Sequence, residues 1–145
     1  MRRGSFVAPG MVVPMRSIII SSVLMTMLAL ASANAVSGWT AVGSSLPSTL
    51  YADPDSIRRE GNMVKMSDLL DFKAVQVTQG YRYLSSQTTS EFDCKEQRTR
   101  ILNFSWHSEP MGRGQIVHKD NDPGEWEPIQ SRSGVETLWK FACRK

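Results

Sequence analysis

Histidine and cysteine are nearly absent from this chain: His107, His118, Cys94 and Cys143 are all it has. A structural zinc site draws about four such ligands together, and a redox pair normally sits close in sequence as C-x-x-C. Neither arrangement is present. No G-x-S-x-G elbow and no H-E-x-x-H helix occurs, so the signatures of serine hydrolases and zinc proteases are missing. Internal repeats, low-complexity tracts and linker-like stretches are also lacking. No apolar run reaches the roughly 20 residues of a membrane-spanning helix. These gaps leave an enzyme reading without a constellation, and neither cofactor nor metal is expected.

What the first residues do carry is a three-part export signal. Arg16 supplies positive charge, Ile18 to Leu30 form an apolar run, and Ala33-Asn34-Ala35 is an A-x-A cleavage site. A signal peptide over 1–35 is expected, with Met15 an alternative start and cleavage after Ala35. A single domain over 36–145 follows, near the commonest domain size. Arg2, Arg3 and Arg16 are the only charged residues before Val36. Taken from 17 basic residues they leave 14, against 14 acidic ones. The pI of 9.1 therefore belongs to the precursor, and affinity for nucleic acid or anionic membranes loses its support. No cysteine lies beside the cleavage site. The expectation is an exported protein, periplasmic or secreted, without a lipoprotein anchor or a transmembrane segment after cleavage.

Export leads to an oxidising compartment, where two cysteines usually join. A Cys94–Cys143 bond closes a loop of roughly 50 residues and adds about 4 kcal/mol in the chain-entropy treatment. The pattern around Cys94 is that of strands. In "RILNFSWHS", Leu102, Phe104 and Trp106 alternate with Asn103, Ser105 and His107, as in a half-buried antiparallel strand. "YADPDSIRREGN" reads as a strand through Tyr51 followed by a turn at 53–56. "MVKMSDLLDFKAVQV" reads as a strand region with a kink. At the C-terminus the period changes. Ser133 and Glu136 form an S-x-x-E capping box, and Val135, Leu138, Trp139, Ala142 and Cys143 make one helical stripe. The class is α+β: a small antiparallel sheet with a C-terminal helix packed on it, pinned by one disulfide. Trp39, Trp106, Trp126 and Trp139 are expected to anchor its core.

Few residues suggest chemistry. Asp53 and Asp55 flank Pro54, which is turn chemistry before it is an acid–base pair. Asp120, Asp122 and Glu125 lack the spacing of a calcium loop. His107 shares the polar strand face with Ser105 and reads as solvated. Lys95, Arg98 and Arg100 form a basic stretch, with Arg113 as a further member. At strand spacing Arg98 and Arg100 point the same way. Charged edge strands commonly protect against aggregation, and the functional alternative is a contact patch for a partner.

Three runs, "YADPDSIRREGNMVKMSDLLDF", "SSQTTSEFDCKEQRTRIL" and "WEPIQSRSGVETLWKFAC", together resemble the surface-adhesin protein E family of exported bacterial proteins. The resemblance rests on a Tyr-x-Asp-Pro-x-Ser-Ile turn, a Phe-Asp-Cys strand followed by arginines, and a final helix bearing the second cysteine. It implies a small antiparallel sheet with a packed helix and a bridging disulfide. It also implies a non-enzymatic binding module that recognises host extracellular-matrix or other proteins. The family's namesake is a lipoprotein, and the anchor cysteine is missing here. Lys95, Arg98, Arg100 and Arg113 are the candidate partner contacts, and a homodimer is compatible with the pattern. The alternative is a soluble periplasmic accessory or inhibitor protein of the cell envelope.

Overall fold

The computed structural model describes residues 38–144. The expected signal peptide, its cleavage point and the alternative start at Met15 lie outside them. Six strands follow one another across a single antiparallel sheet: β1 (Thr40–Ser44), β2 (Ser48–Glu60), β3 (Met63–Thr78), β4 (Tyr81–Asp93), β5 (Arg98–His107) and β6 (Ile116–Asp120). A two-residue strand, β7 (Glu127–Pro128), returns to β5 beside Arg98 and Thr99. The helix α1 (Gly134–Ala142) comes last. Tight connections explain the sequential order. Between β3 and β4, Gln79 and Gly80 are both left-handed, with φ of 50° and 86°. That is the mirror-image turn whose twist suits a two-residue hairpin.

One strand expected to end in a turn is instead continuous and bulged. The turn expected at 53–56 lies inside β2, where register jumps between Asp53 and Arg58. Its chemistry is still that of a turn. Asp53 Oδ1 accepts from the Asp55 N–H at 3.0 Å, and the Ser56 hydroxyl donates to Asp53 O at 2.6 Å. The Ser67 N–H of β3 then donates to Ser56 Oγ at 2.8 Å, so the side chain replaces a ladder partner and the strand goes on. In β3 the register shifts between Asp71 and Gln76, where a kink is expected. A third bulge corrects the alternation assigned to β5. Ser90 faces Ile101 and Thr89 faces Asn103, so Leu102 is the extra residue and Ile101 takes its expected place. Phe104 and Trp106 remain in step.

One face of the sheet receives the helix. Val64, Met66, Phe92 and Ala52 are fully buried there beneath Leu138 and Ala142; burying each larger side chain contributes about 1.5–3 kcal/mol. The helix starts where expected: Ser133 Oγ accepts from the Glu136 N–H at 3.0 Å. Glu136 completes the exchange one residue earlier than in a standard box, accepting from the Arg132 N–H at 2.7 Å. Its far end is held twice. Cys143 is bonded to Cys94, Cα to Cα 5.6 Å, and Arg59 of β2 donates to the carbonyls of Ala142 and Arg144 at 2.9 and 3.2 Å. A cation on the last carbonyls answers the negative end of the helix dipole. Of the four tryptophans only Trp139 packs against this core. All four are only half-buried, and the largest fully buried side chains are Phe92 and Met66.

The opposite face is covered at one end by a 3-10 turn, Pro110–Gly112. The Ser85 hydroxyl donates to Glu109 O at 2.6 Å and accepts from the Gly112 N–H at 2.9 Å, while Asp71 Oδ1 accepts from the Met111 N–H at 2.6 Å. Beneath this turn Leu69 and Ser85 lose all exposure, and His107 is buried with them. The solvated histidine expected from the sequence is thereby corrected. His107 Nε2 meets Ser105 Oγ at 2.9 Å, Nδ1 has no partner, and burial pushes the imidazole below its ordinary pKa.

Candidate protein-recognition surface

The four basic residues singled out from the sequence do not form one patch. Arg113 sits at the Pro110 turn, its guanidinium donating to Pro110 O, at the His107 end of β5. Arg98 opens the other end of that strand, roughly 30 Å away at the usual strand rise. Lys95 lies in the exposed turn after β4, 3.8 Å from Glu96, a surface pair of little energetic weight. Arg98 and Arg100 do stand together, on the sheet face away from the helix.

Both are tied down. Arg98 meets Asp93 Oδ2 through two nitrogens at 3.1 and 3.2 Å. Arg100 donates to Glu91 Oε2 through Nη2 at 2.6 Å and Nε at 2.9 Å. Lys65 adds a longer contact to Glu91 at 3.9 Å. Both carboxylate residues are buried, and cross-strand register sets the pairs: Asp93 opposite Arg98, Glu91 opposite Arg100. The Glu96 N–H, aided by the Lys95 N–H and the Arg98 guanidinium, holds the Asp93 carboxyl below its ordinary pKa, against the pull of desolvation. Trp126, missed as a partner by sequence reasoning, lies under both guanidiniums, 4.9 and 4.8 Å from its ring centroid. The β7 pairing brings it there, a contact between residues too distant in sequence to show as a pattern. The result is a rigid Arg–Trp–Arg platform whose charge is largely cancelled.

A second feature lies on β4, β5 and β6. Tyr83 stacks on Trp106 at 4.6 Å, and His118 lies 4.7 Å from Trp106 and 4.9 Å from Tyr81. Phe104 closes on both Trp106 and His118. The helix packs over β1, β2 and β3 and does not roof these rings. Tyr81 is 39% exposed, while Val77 and Ile116, paired with Arg82 and His107, point to the other side of the sheet. Interfaces are enriched in aromatic residues and arginine and depleted in lysine and acids at their centres.

With sheet, helix and disulfide in place, the whole described domain matches the family model for surface-adhesin protein E over residues 39–144. The chain belongs to the surface-adhesin protein E family. Solved structures share the fold at low identity. Crystal form II of Haemophilus influenzae protein E aligns with a TM-score of 0.59 at 12% identity, covering 74% of this chain and 87% of that one. Protein E from non-typeable Haemophilus influenzae gives 0.55 at 12% identity, covering 74% and 76%. A search of curated proteins finds no sequence match. Adhesin E membership agrees with a non-catalytic role, and among the described residues no group of three or more His, Cys, Asp or Glu is placed to hold a metal.

Proposed function

We propose that this protein is an exported, adhesin-type binding module that recognises a host extracellular-matrix protein through its sheet. The observation that carries the reading is the ring cluster of Tyr81, Tyr83, Phe104, Trp106 and His118, left unroofed by the helix and with Tyr81 39% exposed. Half-exposed aromatic rings of this kind are enriched at protein interfaces. Arg98 and Arg100 on Trp126 supply a second, polar contact with Lys95 beside it, while Arg113 stands apart. Family membership supports the adhesin class and the absence of catalysis.

Immobilised matrix proteins incubated with the purified protein at physiological salt test this. Saturable binding is expected, weakened at least tenfold by a double substitution at the ring cluster, Tyr81→Ser with His118→Ser. Arg98→Gln with Arg100→Gln separates the charged contact from the apolar one. Binding to no matrix protein, together with crosslinking to an envelope protein in the native cell, would support the periplasmic accessory role instead.

A further inference from the structure

A buried carboxyl with no partner lies under the helix. Asp68 stands on the helix-facing side of β3, between Ala52 of β2 and Thr88 of β4. It is only 6% exposed, and its Oδ1 makes no hydrogen bond. Buried polar atoms are nearly always paired, and a buried charge left alone is among the costliest groups in a fold. Asp68 also lines a cavity of about 290 Å³ between α1, the sheet and the loop before β7. Phe92, Ile101 and Leu138 give that cavity its apolar wall. Thr88 and Ser90 bring hydroxyls beside Asp68, and Glu125 of the loop and Glu127 of β7 contribute further negative charge. The one basic residue in the lining, Arg100, has its guanidinium engaged by Glu91 and Trp126. Among the described residues no cation pairs with Asp68, Glu125 or Glu127.

We propose that this cavity binds a primary alkylammonium group, the ammonium on Asp68 and the methylene stem against Phe92, Ile101 and Leu138. An ammonium offers three donors and no acceptor, which a carboxylate flanked by two hydroxyls can satisfy. A guanidinium would bring five donors to the same few acceptors. Ligand pockets usually begin near about 300 Å³, so the cavity takes a stem of a few carbons and excludes larger ligands. Burial alone raises the Asp68 carboxyl to about 7; a cation in the cavity would restore its ionised form. The group has two sources, a free alkylamine or a lysine side chain of a protein.

Amide chemical shifts of the disulfide-bonded protein, followed at about pH 8 where Asp68 is ionised, test the site. Titration with n-butylammonium should give saturable shifts at Ile101, Val135 and Leu138, while n-butanol, neutral and of equal length, should give none. Asp68→Asn should weaken butylammonium at least tenfold. Should that variant misfold, lowering the wild-type solution to about pH 5.5, below the carboxyl's midpoint, should weaken it by a similar factor. An acetylated, amidated glycine–lysine–glycine peptide separates the sources: shifts at the same residues assign a protein side chain, and shifts with butylammonium alone assign a free amine. No saturation with either probe, equal shifts with butanol, or unchanged affinity in Asp68→Asn overturns the proposal.

Discussion

Removing the disulfide, by Cys94→Ser with Cys143→Ser, should detach the helix before the sheet unfolds. The bond joins residues 49 apart, and a closed loop of that size restricts the unfolded chain by about 4 kcal/mol in the chain-entropy treatment. What remains to hold α1 is small. Leu138 and Ala142 are its buried residues, of which the leucine contributes about 1.5–3 kcal/mol. Arg59 adds two hydrogen bonds to the last carbonyls, each contributing about 1 kcal/mol. Nine residues are also fewer than the roughly 12–15 below which a lone helix is marginal. With a urea slope of about 2 kcal/mol per molar, the unfolding midpoint should fall by about 2 M. Amide hydrogen exchange should then show α1 opening well below the energy that opens β3. A midpoint shift under about 0.5 M, with helix amides as protected as before, would falsify the view that the bond is the helix's main tether.

Asp68 should make stability fall with rising pH. Its carboxyl titrates at about 7 in the fold against 3.8 when free, so the folded state holds the extra proton between those values. Stability is therefore fullest near pH 4, declines toward pH 7 and is flat above. The penalty approaches about 4 kcal/mol at roughly 1.4 kcal/mol per unit. Asp68→Asn, whose amide is also left unpaired, should gain about 2 kcal/mol near pH 8 and nothing near pH 4, read from urea melts at both. Gly112→Ala should lose about 2 kcal/mol, because Gly112 has φ of 68° and its added carbon would run into the Gln87 side chain; a thermal melt unchanged within error would contradict this. Arg59→Met should lower stability by about 1 kcal/mol and speed exchange at Ala142 and Cys143 more than in β4.

Period-based signals were legible wherever contacts lie within one element. The Ser133–Glu136 cap and the Leu138–Ala142 stripe are helical spacings, and both appear as read. Phe104 and Trp106 alternate as a strand requires. Cys94 and Cys143 were legible for another reason, since two cysteines in a chain expected to be exported have only each other as partners. Bulges were not legible. Nothing local marks Leu102 as the extra residue, because that depends on how Thr89 and Ser90 of the next strand align with it. The same holds for His107. Its alternation with Trp106 is correct, but the cover comes from the Pro110 turn, whose backbone is held by Asp71 and Ser85 from two other strands. The basic residues were found as a run, whereas their partners Glu91, Asp93 and Trp126 became visible only through cross-strand register and the return of β7. Asp68 looks in sequence like any polar residue in a strand; only the helix above it turns it into a buried, unpaired group.

The strand order has a consequence for how the molecule is made. From β2 to β6 each strand pairs with the one before it, so a chain emerging N-terminus first can zip up hairpin by hairpin without waiting for distant segments. The short β7, which returns to β5, and the final helix are the exceptions, and the helix's sulfur must find one that emerged long before. Until it arrives, Cys94 has no other thiol in the chain to react with. A wrong intramolecular pairing is unavailable, so oxidation here should proceed in a single step with no need for an isomerase, and premature oxidation could only join two molecules.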